Sequence, residues 1–185
     1  MAEYAYKMTN ADMTCTMGHG VFQYRPSIWY EEEEANCRNN GFHAAKNPMD
    51  CLSYYPDFSK SQCWLVEIAG DIDEDSMDSK VSATRIRFKK RMTLPAFVQM
   101  ACIWIVEHPR MPYNKHVTEG PAQANENHFA ISVGEKAMAK GNIGDVLGIL
   151  RTYPCSRDIE AATCFLVDGK KYKPGVFYDA DGKAV

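Results

Sequence analysis

Two runs of strand-forming residues, an acidic link between them and a strongly apolar helical pattern after them constrain this chain more than any other feature. Cys63-Trp-Leu-Val-Glu-Ile-Ala69 is rich in β-branched and aromatic residues and ends at Gly70. Lys80–Phe88 reads as a second strand, with Ile86 and Phe88 on one face and Arg85 and Arg87 on the other. The link, GDIDEDSMDS, reads as a solvated loop. Its Asp71-x-Asp73-x-Asp75 spacing fails as a calcium loop, because Ser76 and Ser82 stand where such a loop needs Gly and Glu. Thr93 can then cap a helix from Leu94 to about His108, with Pro95 in its first turn. Phe97, Val98, Ala101, Cys102 and Ile105 follow helical spacing, while Met100, Ile103 and Trp104 fill much of the other side. A helix apolar on most faces is expected to be a core helix, and Pro109 and Pro112 end it.

At 185 residues and 45% hydrophobic composition, the chain can bury a core without disulfides or a structural metal. Its net charge of −3 excludes a polybasic nucleic-acid binder. No basic segment followed by an apolar stretch opens the sequence, and the most apolar window, 96–106, is too short to span a bilayer. Seven cysteines with no C-x-x-C pair speak against zinc ribbons and thioredoxin-like motifs, and no histidine spacing suggests a metal site. A cytoplasmic chain with reduced thiols, no metal and no membrane association is expected.

Charge is polarised. Residues 1–78 carry 14 acids and 5 bases, whereas 79–185 carry 10 acids and 16 bases. The acidic pieces are Glu31, Glu32, Glu33 and Glu34, and then Asp71, Asp73, Glu74 and Asp75. The basic strip holds Lys80, Arg85, Arg87, Lys89, Lys90 and Arg91. Either the two halves neutralise each other at the surface, or one charged face meets a macromolecule of opposite sign.

The expected fold class is α+β. An antiparallel sheet with a packed core helix (1–118) is followed by a short Gly/Ala-rich repeat (119–150) and a C-terminal β-hairpin region (151–185). Shorter helices are expected over Glu31–Asn39 and Pro48–Tyr55. Gly120, Gly134 and Gly148 recur at 14-residue intervals, with small residues after Gly134 at Ala137, Ala139 and Gly141. This coil resembles those of trimeric autotransporter adhesin heads, which imply a parallel β-roll. An irregular loop with a helix over 145–152 is the rival. Thr163–Val167 followed by Asp168-Gly169 reads as a hairpin arm and its turn, with Lys170–Tyr178 returning.

The run Gly41-Phe-His43-Ala, Asn47-Pro48, Asp50, Leu52 and Tyr54-Tyr55, with the later Val167-Asp-Gly-Lys-Lys-Tyr-Lys-Pro174, resembles a family of uncharacterised phage and prophage proteins. That resemblance implies a phage setting and no reaction. The order Gly41-Phe-His43, short helix with Tyr54-Tyr55, then the strand ending at Gly70 is also similar to the ADP-ribosyltransferase core. This second resemblance implies an NAD or ADP-ribose-like nucleotide, with Tyr54 or Tyr55 stacking on the ring and His43 at the pocket wall. Tyr4-Ala-Tyr6-Lys lacks the histidine or arginine that grips the ribose, and no glutamate stands in a catalytic strand, so transfer chemistry is unsupported.

The leading functional expectation is a cytoplasmic accessory protein of phage that binds and inhibits a host defence macromolecule, such as a nucleic-acid-binding nuclease complex of the kind anti-CRISPR proteins block. It needs no cofactor. The alternatives are the nucleotide-binding protein and a minor virion component. The 14-residue coil further implies a homo-oligomer, with Phe129, Ile131, Val146, Leu147 and Ile149 at the seam.

Overall fold

Alternating apolar residues build most of this chain into strands. The computed structural model describes residues 2–16, 20–37, 39–74 and 78–185. It is 44% strand and 11% helix, so the α+β expectation with a helix packed on the first sheet is corrected to a largely β architecture. The chain divides into two compact units, Met1–Thr93 and Leu94–Val185.

The first unit contains β1 (Glu3–Asn10), β2 (Thr14–Cys15), β3 (Phe22–Gln23), β4 (Trp29–Glu31), β5 (Phe42–Ala45), β6 (Ser61–Glu74) and β7 (Lys80–Arg91). β6 and β7 pair antiparallel, and β7 also pairs on its other edge with β4 and β5. β1 lies between β5 and β6, so β7, β5, β1 and β6 form a closed cycle of pairings. Its interior holds Ala5, Phe42, Ala44, Trp64, Val66, Ile68, Val81, Ala83, Ile86 and Phe88. The strand expected to end at Gly70 instead runs on to Glu74. Gly70 takes φ +79° in a break of register between Ala69 and Ile72. A side chain there would run into the Thr84 hydroxyl, which instead accepts the Asp71 amide at 3.0 Å. The bulge bends the long hairpin enough for β7 to reach both neighbours.

Among the described residues of 31–39 no helix forms. Four successive glutamates repel on a helix, and Glu31 instead ends β4 opposite Arg85. The segment after Asn47 is a 3-10 helix, Pro48–Ser53, with the Asn47 side-chain Oδ1 accepting the Met49 amide and Pro48 in the first turn.

The second unit opens with α1 (Leu94–Glu107) and continues with β8 (Val117–Glu119), β9 (Ala122–Gln123), β10 (Phe129–Val133), β11 (Met138–Lys140), β12 (Val146–Thr152), β13 (Ile159–Leu166) and β14 (Tyr178–Asp179). Phe97, Val98, Ala101, Cys102 and Ile105 are buried, and α1 packs on β10, β12 and β13 of its own unit. Ile103 and Val106 are exposed, so the helix buries one face and not most of its circumference. β8, β10 and β12 pair parallel, and so do β9 and β11. Val117 faces Ile131 at a spacing of 14 residues, and Ile131 faces Gly148 at a spacing of 17. Residues 146–152 are strand, so the rival helix there is absent.

The C-terminal hairpin is also corrected. β13 pairs antiparallel with β12, while β14 pairs with β11. Asp168 accepts the amides of Lys170 and Tyr172, which widens the turn, and Pro174 offers no amide to a returning strand. Phe129, Ile131, Val146, Leu147 and Ile149 are each 0% exposed within the chain. The helix and the successive coils cover them, so they form the core of this unit and not a seam between copies. Among the described residues no helix is long and apolar enough to cross a membrane.

Gly148 lies under α1, and a Cβ there would meet Cys102 Sγ at 2.5 Å and Val98 Cγ1 at 3.3 Å. Gly148→Ala is therefore expected to destabilise the second unit by about 1–3 kcal/mol, measured as a lowered urea midpoint.

Candidate ligand cavity in the first unit

The strands of the first unit wall a cavity of about 190 Å³. β1 contributes Tyr6, Lys7 and Met8, β5 contributes His43, Ala44 and Ala45, the 3-10 helix and its end contribute Cys51, Tyr54 and Tyr55, and Cys15 and Lys80 complete the lining. His43, Tyr54 and Tyr55 thus come together around one opening. Local hydrogen bonds fix this arrangement. Asp50 accepts the Ser79 hydroxyl at 2.7 Å, and Ser79 in turn accepts the Asn47 amide at 2.8 Å. Asp78 accepts the Lys80 amide at 2.8 Å and the Tyr54 hydroxyl at 3.4 Å. The Cys51 thiol donates to the Tyr6 carbonyl, and the Tyr55 hydroxyl donates to Cys15 Sγ at 3.3 Å.

Lys7 is the residue that sequence reasoning passed over. It shares a face of β1 with Ala5 and Thr9 and is only 7% exposed. Its ammonium donates to the His43 carbonyl at 2.5 Å and lies 5.4 Å from the centre of the Tyr24 ring. No carboxylate pairs with it among the described residues, and an ammonium has three protons to place. Burial pulls its pKa below the ordinary lysine value. The only sequence signal is a lysine on the apolar side of an alternating strand, where such a residue is costly unless partnered.

The second cation is Lys80, whose Nζ lies 4.6 Å from the centre of the Tyr54 ring. The sequence grouped it with the basic strip, but it stands at the opposite end of β7 from Arg91. Burial, helped by Lys80 and Lys7, holds the His43 pKa down to about 4, so its ring is neutral at pH 7. Burial also pushes the Cys51 thiol up to about 12 and raises the Tyr55 hydroxyl. The lining is therefore two lysine side chains among aromatic rings and thiols, with Asp78 at the Tyr54 edge.

The charged residues singled out from sequence go elsewhere. Glu31 pairs with Arg85 at 2.9 Å, and Arg85 and Arg87 both lie against the Trp29 ring. Glu67 takes Arg87 Nε at 2.8 Å and Lys89 at 3.4 Å. Lys90 and Arg91 are exposed and carry no such pair among the described residues. The basic strip is thus laced with acids from neighbouring strands of its own unit. Asp73 accepts the Cys37 amide at 2.6 Å, and Glu74 pairs with Lys46 at 2.5 Å. Glu32, Glu33, Glu34 and Asp71 are exposed, and Asp75 lies outside the described residues. Among the described residues no group of three or more His, Cys, Asp or Glu side chains is placed to hold a metal ion.

Because the His43 pKa is about 4 in the fold and 6.5 ordinarily, the unfolded chain takes up a proton first as pH falls. This part of the stability is present above pH 6.5 and is lost as pH drops towards 4. His43→Gln should flatten that stretch of the urea-midpoint profile by about 1–2 kcal/mol, allowing for a half-buried ring.

Residues 4–100 match a family described as a domain of unknown function (DUF7666). No curated protein and no solved structure matches the chain.

Proposed function

Since the chain belongs to the DUF7666 family of domains of unknown function, whose matched residues include the whole cavity lining, we propose that the first unit binds an anionic small molecule bearing a flat ring. A nucleotide, whether a mononucleotide or one end of NAD or ADP-ribose, has that chemistry. The observation that carries this reading is Lys7: a buried ammonium, without a carboxylate partner among the described residues, in the wall of a cavity. Such a cation is costly in an empty cavity and is satisfied by a phosphate or carboxylate that enters it. Lys80 supplies a second positive charge, and Tyr54 and Tyr55 offer faces to a ring.

The volume of about 190 Å³ is below the roughly 300–1,000 Å³ of sites for drug-sized ligands. It suits one ring or one anionic group of the ligand, with the rest lying outside. Among the described residues the nearest carboxylate, Asp78, is engaged by the Tyr54 hydroxyl and the Lys80 amide and is not free to stabilise a developing oxocarbenium ion, so the reading is of binding and not of glycosyl transfer. The other expectation, a phage-encoded inhibitor of a host macromolecule, keeps the exposed run Glu32–Glu34 in its favour. Glu31, Asp73 and Glu74 are already engaged within the unit.

Calorimetry with AMP, ADP-ribose, NAD and inorganic phosphate tests the proposal. Heat is expected from at least one nucleotide, with affinity falling as salt rises. Lys7→Met should weaken that binding at least tenfold, about 1.4 kcal/mol, while leaving the unliganded protein as stable or more stable, because the substitution removes a buried charge. Absence of heat from every compound at millimolar concentration, or binding unchanged in Lys7→Met, overturns it.

A further inference from the structure

The second unit holds a pair of thiols that the ligand cavity does not use. Gly148 on β12 stands directly opposite Cys164 on β13. Directly opposed residues of an antiparallel pair project from the same face of the sheet. On that face α1 is packed, and Cys102 Sγ lies 2.5 Å from where a Gly148 Cβ would be. The missing side chain at 148 thus lets the Cys102 sulfur sit against the sheet, on the face and at the register position that Cys164 occupies. We propose that Cys102 and Cys164 form a peroxide-oxidisable pair that closes reversibly into a disulfide joining α1 to β13.

The two cysteines have different surroundings, and the chemistry uses the difference. Cys164 is half-buried and open to a small oxidant, whereas Cys102 is buried. The two thiols shift each other in opposite senses, Cys164 downward and the buried Cys102 upward. Cys164, the more exposed of the two, is the sulfur that meets the oxidant first. Its sulfur takes one oxygen of hydrogen peroxide, giving a sulfenic acid and, with one proton, a water. The Cys102 sulfur then displaces the sulfenic oxygen, which leaves with the Cys102 proton as a second water. Two thiols are oxidised by two electrons, and one peroxide is reduced to two waters. The bond closes a loop containing the whole parallel stack.

Mass spectrometry of the full chain tests this. The protein is treated with hydrogen peroxide, quenched, alkylated under denaturing conditions and digested with and without reductant. The expected product is a linked pair of peptides containing Cys102 and Cys164, lighter by two hydrogens, that reductant separates. The same link should form in Cys155→Ser, which removes the exposed thiol, and Cys164→Ser should leave Cys102 alkylatable. Recovery of both cysteines as free thiols under conditions that oxidise Cys155 overturns the proposal. So does irreversible oxidation of Cys164 while Cys102 stays free.

Discussion

The first unit depends on one strand being hydrogen-bonded along both edges. β7 holds β6 on one side and β4 with β5 on the other, and β1 joins β5 to β6 across the gap. Closure satisfies backbone groups that an open five-stranded sheet would present at its edges. It also creates an inside, filled by Trp64, Val66, Ile68, Ile86 and Phe88. The β6–β7 ladder breaks register at Gly70, where the left-handed backbone and the absent side chain allow β6 to pass Thr84.

The same closure explains why the cavity carries positive charge. Lys7 belongs to a strand whose other inward residues are small or apolar, so the ring of strands brings an ammonium where water is scarce. The neutral state of His43 follows chiefly from burial of its ring, and the two nearby cations oppose a third charge as well. A buried ammonium of this kind lowers stability in the unliganded fold, so its burial is a cost that the rest of the unit must offset.

Much of the local structure was legible in the sequence. Alternation and composition located β6 and β7, and Asn47-Pro48 marked the start of a short helix. The apolar spacing of α1 identified its buried face, but a periodic pattern does not say which sheet covers it, and the sheet lies in the second unit. Four glutamates in a row looked helical in isolation, whereas pairing with Arg85 decided the conformation of the first. Asp168-Gly169 is a strong turn signal, but side-chain hydrogen bonds from Asp168 and the proline at 174 redirected the chain. At the cavity, His43, Tyr54 and Tyr55 stood out by type, while Lys7 became informative only once its strand had an interior.

The second unit has a property that follows from the direction of β13. Parallel coils present at each end of their stack the same edge that joined the previous coil, and so offer a template for indefinite addition. Here the strand after β12 runs the opposite way and occupies that edge along seven residue pairs, from Val146 opposite Leu166 to Thr152 opposite Ile159. At the other end the edge is only Val117–Glu119. A chain built like this cannot lengthen by appending turns at its C-terminal side. Extra coils must be spliced between β8 and β12, beneath a terminus that stays the same, so that the stack grows from within like a column extended below its capital.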